Sequence, residues 1–531
     1  MKRIFDLRFI ESKQFFYFIL FLNIILLCFT YFYPSMDGAS HLYNSNVLGH
    51  ILLGNNTLRE FYSITTIPIP NWISHFILGL FVVLFPAWIA EKILIILYVA
   101  GMAISFRYLL KQLNRDNSFL SILIFPFIYS LLFHLGFYNF SISFIFFFFT
   151  LGYYLKNYIN FSLRNYFFLF LFISLTFFSN ILIYGFLGLV LALVIFYFTY
   201  EYYKTTKDYY STLKYGVKKI LFLFMVSTPS LICMFLFISN VTFLPSEQAY
   251  STKELIKWIN DARPFIVYDY VSEEIITEQY LHVLLILIVI TFLKSEKKMS
   301  NFNLKKADIL LVPIIITLAL YFITPNSSGA GMMSYRYCLI FYMFGLLWIC
   351  SRSIQNNFNR VLVLFIIFLH IGLLFKHLNG PIRKLDKDAQ SIYQSSKYIN
   401  DNNIVLPIDL SDNWIEPHFS NYLGVDKPLI ILENYEANVG WFPIKWNSKN
   451  FPNVLLGDKN SINGITWKSN TESKKVRQID NIILYGNTDK INNKEWLDLK
   501  ELISMDFRLI YKSDDNFVLL YERMHNLKNK R

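Results

Sequence analysis

Apolar runs recur along this chain at lengths that a water-soluble core does not require. Residues 17–33, 220–239, 308–323 and 361–375 each approach the length that crosses the hydrocarbon of a bilayer. Only 16% of the 531 residues are charged, against about 25% in an ordinary soluble domain. Together with 55% hydrophobic and 19% aromatic residues, this predicts an integral membrane protein over most of its length. No small-x-small cleavage pattern follows the first run, where the chain reads Phe-Tyr-Pro-Ser, so the run is expected to stay as an anchor.

The net charge of +12 does not indicate nucleic acid, because the basic residues sit in short connections between apolar runs, where they orient a membrane protein. Lys2, Arg3, Arg8 and Lys13 precede the first run, which predicts a cytoplasmic N-terminus. Later clusters fall at 107–115, 156–164, 204–219, 294–306 and 352–360, while 134–139, 180–183 and 324–335 contain no Lys or Arg. This alternation holds only if the apolar stretch 72–88, with Trp72, His75, Pro86 and Trp88, lies along or re-enters the membrane instead of crossing it. The expected fold is therefore a polytopic α-helical membrane protein with about eleven transmembrane helices: 15–33, 91–110, 118–133, 140–155, 165–179, 183–200, 220–240, 281–294, 308–323, 336–351 and 361–376. A transmembrane domain 1–376, with long exterior loops 34–90 and 241–280, precedes a soluble extracytoplasmic α/β domain at 377–531. The protein is placed in the cell's inner membrane with that tail outside. The four cysteines, Cys28, Cys233, Cys338 and Cys350, all lie in apolar segments, so the tail folds without disulfides.

In the tail, alternating stretches at Asn403–Leu410, Pro428–Leu432, Ile479–Tyr485, Phe507–Lys512 and Phe517–Arg523 predict strands, the last two joined as a hairpin over Ser-Asp-Asp-Asn. Helical patterns fit 388–399 and 493–504. The tail has no phosphate-binding loop, nucleophile elbow or metal-ligand spacing. Trp414, His418, Tyr435, Glu436, Trp441 and Trp446 form a polar, aromatic-rich stretch suited either to stacking on sugar rings or to an aromatic core.

The chemistry is expected at Pro34-Ser-Met-Asp37-Gly-Ala-Ser-His41-Leu-Tyr43-Asn44, just past the first apolar run. An ionisable group at a membrane boundary is costly unless it meets water, a partner or a substrate. A partly desolvated Asp37 holds a proton more strongly and suits a general base that deprotonates an acceptor hydroxyl. His41, four residues on, shares its helical face and can orient it or donate to a leaving phosphate. Capping of a following helix by Asp37 is compatible with this. Arg336, beginning a late span after Gly329 and Gly331 and flanked by Tyr335 and Tyr337, can bind a phosphodiester, with headgroup snorkelling as the alternative. Tyr43, Asn44, His134, Tyr138, Asn139, Asn180, Asp261 and Arg263 are further candidates for substrate contacts. Glu60 and His75 are conceivable partners of Asp37. No row of intramembrane acids, internal repeat or nucleotide-binding motif points to a pump.

The first-loop string, together with Gly329-Ala-Gly-Met-Met-Ser-Tyr-Arg336-Tyr, about eleven spans and a soluble exterior tail, resembles the GT-C glycosyltransferases, among them the protein O-mannosyltransferases and the aminoarabinose transferases of lipid A. The resemblance implies inverting transfer of a sugar from a polyprenyl-phosphate donor to an extracytoplasmic glycan, lipid or protein, with Asp37 as the catalytic acid of the first loop and Arg336 beside the lipid phosphate. Many members carry two adjacent acids there. Here Met36 and Gly38 flank a single Asp37, which leaves metal dependence open, with a divalent metal possible but without support of its own, and leaves open a scaffold that has lost activity. A non-catalytic scaffold or a lipid-linked glycan transporter is the alternative.

Overall fold

A computed structural model describes residues 7–158, 162–240, 250–295, 305–329, 331–353, 357–447, 452 and 477–524. Residues 241–249 of the expected loop 241–280 and Ala330 of the glycine-containing string lie outside these.

Among the described residues, eight helical segments are long and apolar enough to cross a membrane: Ala87–Leu113, Tyr138–Asn157, Ile181–Thr206, Tyr209–Asn240, Tyr270–Thr291, Lys306–Ile323, Met333–Arg352 and Asn357–Tyr398. Four shorter apolar helical segments accompany them among the described residues, at Lys13–Leu27, Ile73–Val82, Ser118–Ile128 and Leu163–Ser179. The chain is thus a helical membrane protein with a small C-terminal sheet region. The run expected at 118–133 breaks into a 3₁₀ segment, Ser118–Ile124, followed by two single-turn helices, Phe125–Ile128 and Leu131–His134.

The chain divides into two compact units, neither of them contiguous. The first takes residues 1–27, 96–134 and 138–379 and holds most of the long helices. Its joints are tight. Asn180 ends one helix and starts the next, its side-chain oxygen accepting the Leu182 and Ile183 backbone N–H groups at 3.0 and 3.3 Å, which satisfies two donors that the new helix leaves unpaired. The Glu273 carboxylate gathers the turn before its helix, accepting from the backbone of Val267, Tyr268 and Asp269 at 2.6–3.1 Å and facing His377 at 2.9 Å.

The second unit takes residues 28–95, 135–137 and 380–531. The segment 28–95, assigned from sequence to the transmembrane domain, clusters with the tail. Among the described residues, seven strands belong to this unit: β1 (Tyr62–Ile64), β2 (Ile404–Leu410), β3 (Ile430–Ile431), β4 (Ile444–Trp446), β5 (Asn481–Gly486), β6 (Phe507–Lys512) and β7 (Val518–Arg523). Five form a sheet in the order β3-β2-β5-β7-β6, parallel across β3, β2 and β5 and antiparallel from β5 to β6. All seven residues of β2 are buried, as expected of a parallel central strand covered on both faces. The β6–β7 hairpin turns over Ser-Asp-Asp-Asn, and the tail helices run Arg383–Ser395 and Leu497–Asp506. A second, two-stranded sheet pairs β1 with β4, with Tyr62 stacked on Trp446 at 4.5 Å.

Candidate functional site

The helix Gly38–Leu52 carries the sequence candidates of the first loop. Every residue from Gly38 to Leu48 is buried, although Ser40, His41, Asn44, Ser45 and Asn46 are all polar. Burying polar side chains is costly unless they find partners; segments of the same unit supply them for His41, Tyr43, Asn44 and Asn46, while Ser45 donates to the His41 carbonyl of its own helix at 2.6 Å. The Tyr43 hydroxyl donates to the carbonyl of Leu429, just before β3, at 2.8 Å and accepts the Ile431 N–H on the free edge of β3 at 3.0 Å. Its single proton is then committed, so the Tyr62 hydroxyl at 2.8 Å must be the donor between the two phenols. Asn46 donates to the carbonyls of Gly424 and Lys427 at 2.8 and 3.1 Å.

His41 and Asn44 face a cluster that sequence reasoning did not assemble. Glu436 Oε1 lies 2.6 Å from His41 Nδ1 and Oε2 lies 2.7 Å from His75 Nε2. Asn44 Nδ2 donates to Glu436 Oε2 at 2.9 Å and exchanges hydrogen bonds with Asn434 at 3.0 and 2.7 Å. The two imidazoles meet edge to face at 4.9 Å, and the Phe442 ring lies against both at 5.8 and 5.7 Å. His41 is 2% exposed, and His75 and Glu436 are fully buried. The second nitrogen of His41, Nε2, sits 2.9 Å from the Gly136 carbonyl. A carbonyl can only accept, so Nε2 carries a proton.

Asp37 precedes the helix in the N-cap position, but its carboxylate caps none of the described backbone N–H groups of that helix. The turn is held instead by the backbone, where the Asp37 N–H donates to the Leu135 carbonyl at 3.0 Å. The residue is 5% exposed, and its carboxylate lies 3.8 Å from His418 Nε2 with the Tyr435 hydroxyl close by. His418 stacks on the Tyr435 ring at 4.4 Å, and its other nitrogen meets Glu433 at 2.8 Å.

Burial raises the proton affinity of Asp37, and Glu436 adds to that, while His418, His41 and Tyr435 oppose it. Burial likewise disfavours charge on His41, but Glu436, Asp37 and the Gly136 carbonyl outweigh it and raise its pKa. Glu436, which burial alone would raise, is held down to about 2 by His75 and His41. For His418 the burial effect is overcome by Glu433 above all, then Asp37 and Glu436, and its pKa rises to about 9. The result is a water-poor site where carboxylates alternate with imidazoles.

The remaining sequence candidates belong to the other unit. Arg336 is buried in the first turn of the helix Met333–Arg352, its Nε donating to the Gly331 carbonyl at 2.9 Å and its guanidinium 5.0 Å from the Phe140 ring centre. Tyr335 packs on Trp258 at 4.5 Å, and Arg263 lies over the rings of Trp258, Tyr270 and Tyr335 at 5.1–5.9 Å. Asp261 accepts from the Tyr270 hydroxyl. His134 Nδ1 meets the Tyr268 hydroxyl at 3.0 Å, and Tyr138 and Asn139 are buried at the start of their helix. Asn180 is a helix cap, as described above.

His418, Tyr435 and Glu436 were legible as members of a polar aromatic stretch, and His75 as a possible neighbour of Asp37. Their convergence was not, because it needs contacts 361 residues apart, between His75 and Glu436. No protein-family model matches the chain, and comparison with curated proteins finds no match.

Proposed function

We propose that the protein transfers a sugar from a polyprenyl-phosphate donor to an extracytoplasmic acceptor, with inversion, and that Asp37 is the general base. The observation that carries this reading is the state of Asp37: a buried carboxylate with raised proton affinity that spends none of its lone pairs on capping its own helix. A carboxylate kept for structure alone would be expected to cap. Surrounded by His418, His41 and Tyr435, it can stay ionised, take a hydroxyl proton and pass it on. Both ring nitrogens of His41 are engaged, so its contribution is to the position and charge of Asp37 and not to a leaving phosphate.

The shorter apolar helices Lys13–Leu27, Ser118–Ile128 and Leu163–Ser179 join the eight long ones to make eleven crossings. Ile73–Val82 lies along the membrane instead, which suits the burial of Ile73, Ser74, His75 and Leu78. The tail and the first loop then share the outer side of the cell membrane, where lipid-linked sugars are the available donors.

The test is mass spectrometry of cell-envelope glycans from cells lacking the protein, complemented with wild type or Asp37→Asn. Loss of a proton acceptor is expected to lower transfer by about 10²–10⁴-fold while protein level and thermal stability hold. Full restoration of the glycan by Asp37→Asn would remove the transferase reading and favour a scaffold or glycan transporter.

A further inference from the structure

We propose that His41, His75 and Glu436 form a binding site for a divalent transition metal, zinc above all. The three side chains come from the helix Gly38–Leu52, the helix Ile73–Val82 and the tail, and one donor atom from each falls within 4.8 Å of the others. Two imidazole nitrogens and a carboxylate are a donor set that binds zinc.

The surroundings fit ligands. A metal-bound histidine usually gives its other N–H to a carbonyl or carboxylate, which fixes the ring and aims the free lone pair. His41 does this, with Nε2 on the Gly136 carbonyl at 2.9 Å and Nδ1 aimed at the cluster. A ligating carboxylate is usually held from behind as well, and Asn44 holds Glu436 at 2.9 Å while being locked by Asn434. The Phe442 ring packs against both imidazoles, at 5.8 and 5.7 Å.

The nitrogen–oxygen separations of 2.6 and 2.7 Å are hydrogen-bond distances. Tetrahedral zinc, with bonds of about 2.0–2.2 Å, spaces its ligand atoms about 3.3–3.5 Å apart. An ion therefore enters by displacing the protons shared between the imidazoles and the carboxylate and spreading the side chains by less than about 1 Å, as small rotations about the Cα–Cβ bonds allow. The competing arrangement on the same residues is a permanent imidazolium–carboxylate cluster with no affinity for metal.

The assay is elemental analysis of the full-length chain, purified in detergent without a polyhistidine tag. Stoichiometric zinc is expected in the wild type and its loss in His75→Gln and Glu436→Gln. Asn44→Ala should retain the ligands but bind about 10–100-fold more weakly. Because the ligand variants can misfold, the wild type is also stripped with a chelator and refilled. Its thermal midpoint should fall and then recover with zinc, and cobalt(II) should give the visible absorption of a tetrahedral complex. A stripped, folded protein that takes up neither zinc nor cobalt, or ligand variants that bind as the wild type does, would overturn the proposal. None of these readouts depends on glycosyl transfer, so a failure of the metal site and a failure of Asp37 as a base are separately visible.

Discussion

Gly136 sits at φ +82°, and a Cβ there would lie 2.8 Å from the backbone nitrogens of Asp37 and Gly38. The glycine is what lets Leu135 and Gly136 press their carbonyls onto the Asp37 N–H and the His41 ring. Alanine meets both a left-handed backbone and a clash with main-chain atoms that have no rotamer to yield. Gly136→Ala should lower stability by about 1–3 kcal/mol and disturb Asp37 more than residues further off, as read by thermal unfolding and, on the proposed function, by loss of transfer. Glu416, 2% exposed, gives a pH prediction at the same scale. Burial first, then Asp388 and Asp409, raise its carboxyl to about 7 from 4.5, against Lys384 and Asn413. The folded state therefore holds the proton more tightly than the unfolded chain. This stabilisation is complete below about pH 4.5 and is lost as pH rises through 7. It amounts to roughly 3 kcal/mol at most, at about 1.4 kcal/mol per unit. The thermal midpoint should fall between pH 5 and pH 8, and Glu416→Gln should flatten that slope.

Among the elements, β3 shows how a sheet edge is closed without another strand. Its outward Ile431 N–H and the Leu429 carbonyl beside it, open to pairing in an exposed edge, are both taken by the Tyr43 hydroxyl. Tyr43→Phe leaves two buried backbone groups and the Tyr62 hydroxyl short of a partner. A loss of about 1–3 kcal/mol is expected, with faster hydrogen exchange at Ile431 than at β2 as its local signature. What was legible in the sequence follows from range. Hydropathy marked the long helices because each is long and apolar enough, by its own composition, to cross a membrane. Short apolar or alternating runs marked β2, β3, β5, β6 and β7, because strands of this sheet lie against apolar neighbours on one face or, as in β2, on both. The β1–β4 pair escaped notice because each strand is three residues long, too short to show a period. Gly38–Leu52 was not recognised as a buried helix because its inward face is polar, and hydropathy assigns such a face to solvent. Asp37 and His41 stood out by chemistry. Glu436 did not, since nothing local distinguishes an acid that waits for two histidines from one that meets water.

The whole molecule is two units woven from alternating stretches of chain, and the tail is not self-sufficient within its own. Residues 380–531 expressed alone lack Tyr43, Asn44 and Asn46, the β1 partner of β4, and both histidines of the Glu436 cluster. That fragment should give poorly dispersed amide spectra and non-cooperative melting. Co-expression with residues 28–95 is expected to improve both, and a tail that folds alone with sharp, dispersed signals would contradict the division into units described here. Asn44 and Glu436 are 392 residues apart, and synthesis at about 5–20 residues per second separates them by roughly 20–80 s. Through that interval the polar helix is already made while its partners are still in the ribosome. Biogenesis must therefore shelter an unfinished surface, and a cell short of membrane chaperones would be expected to degrade nascent chains of this protein before it degrades finished ones.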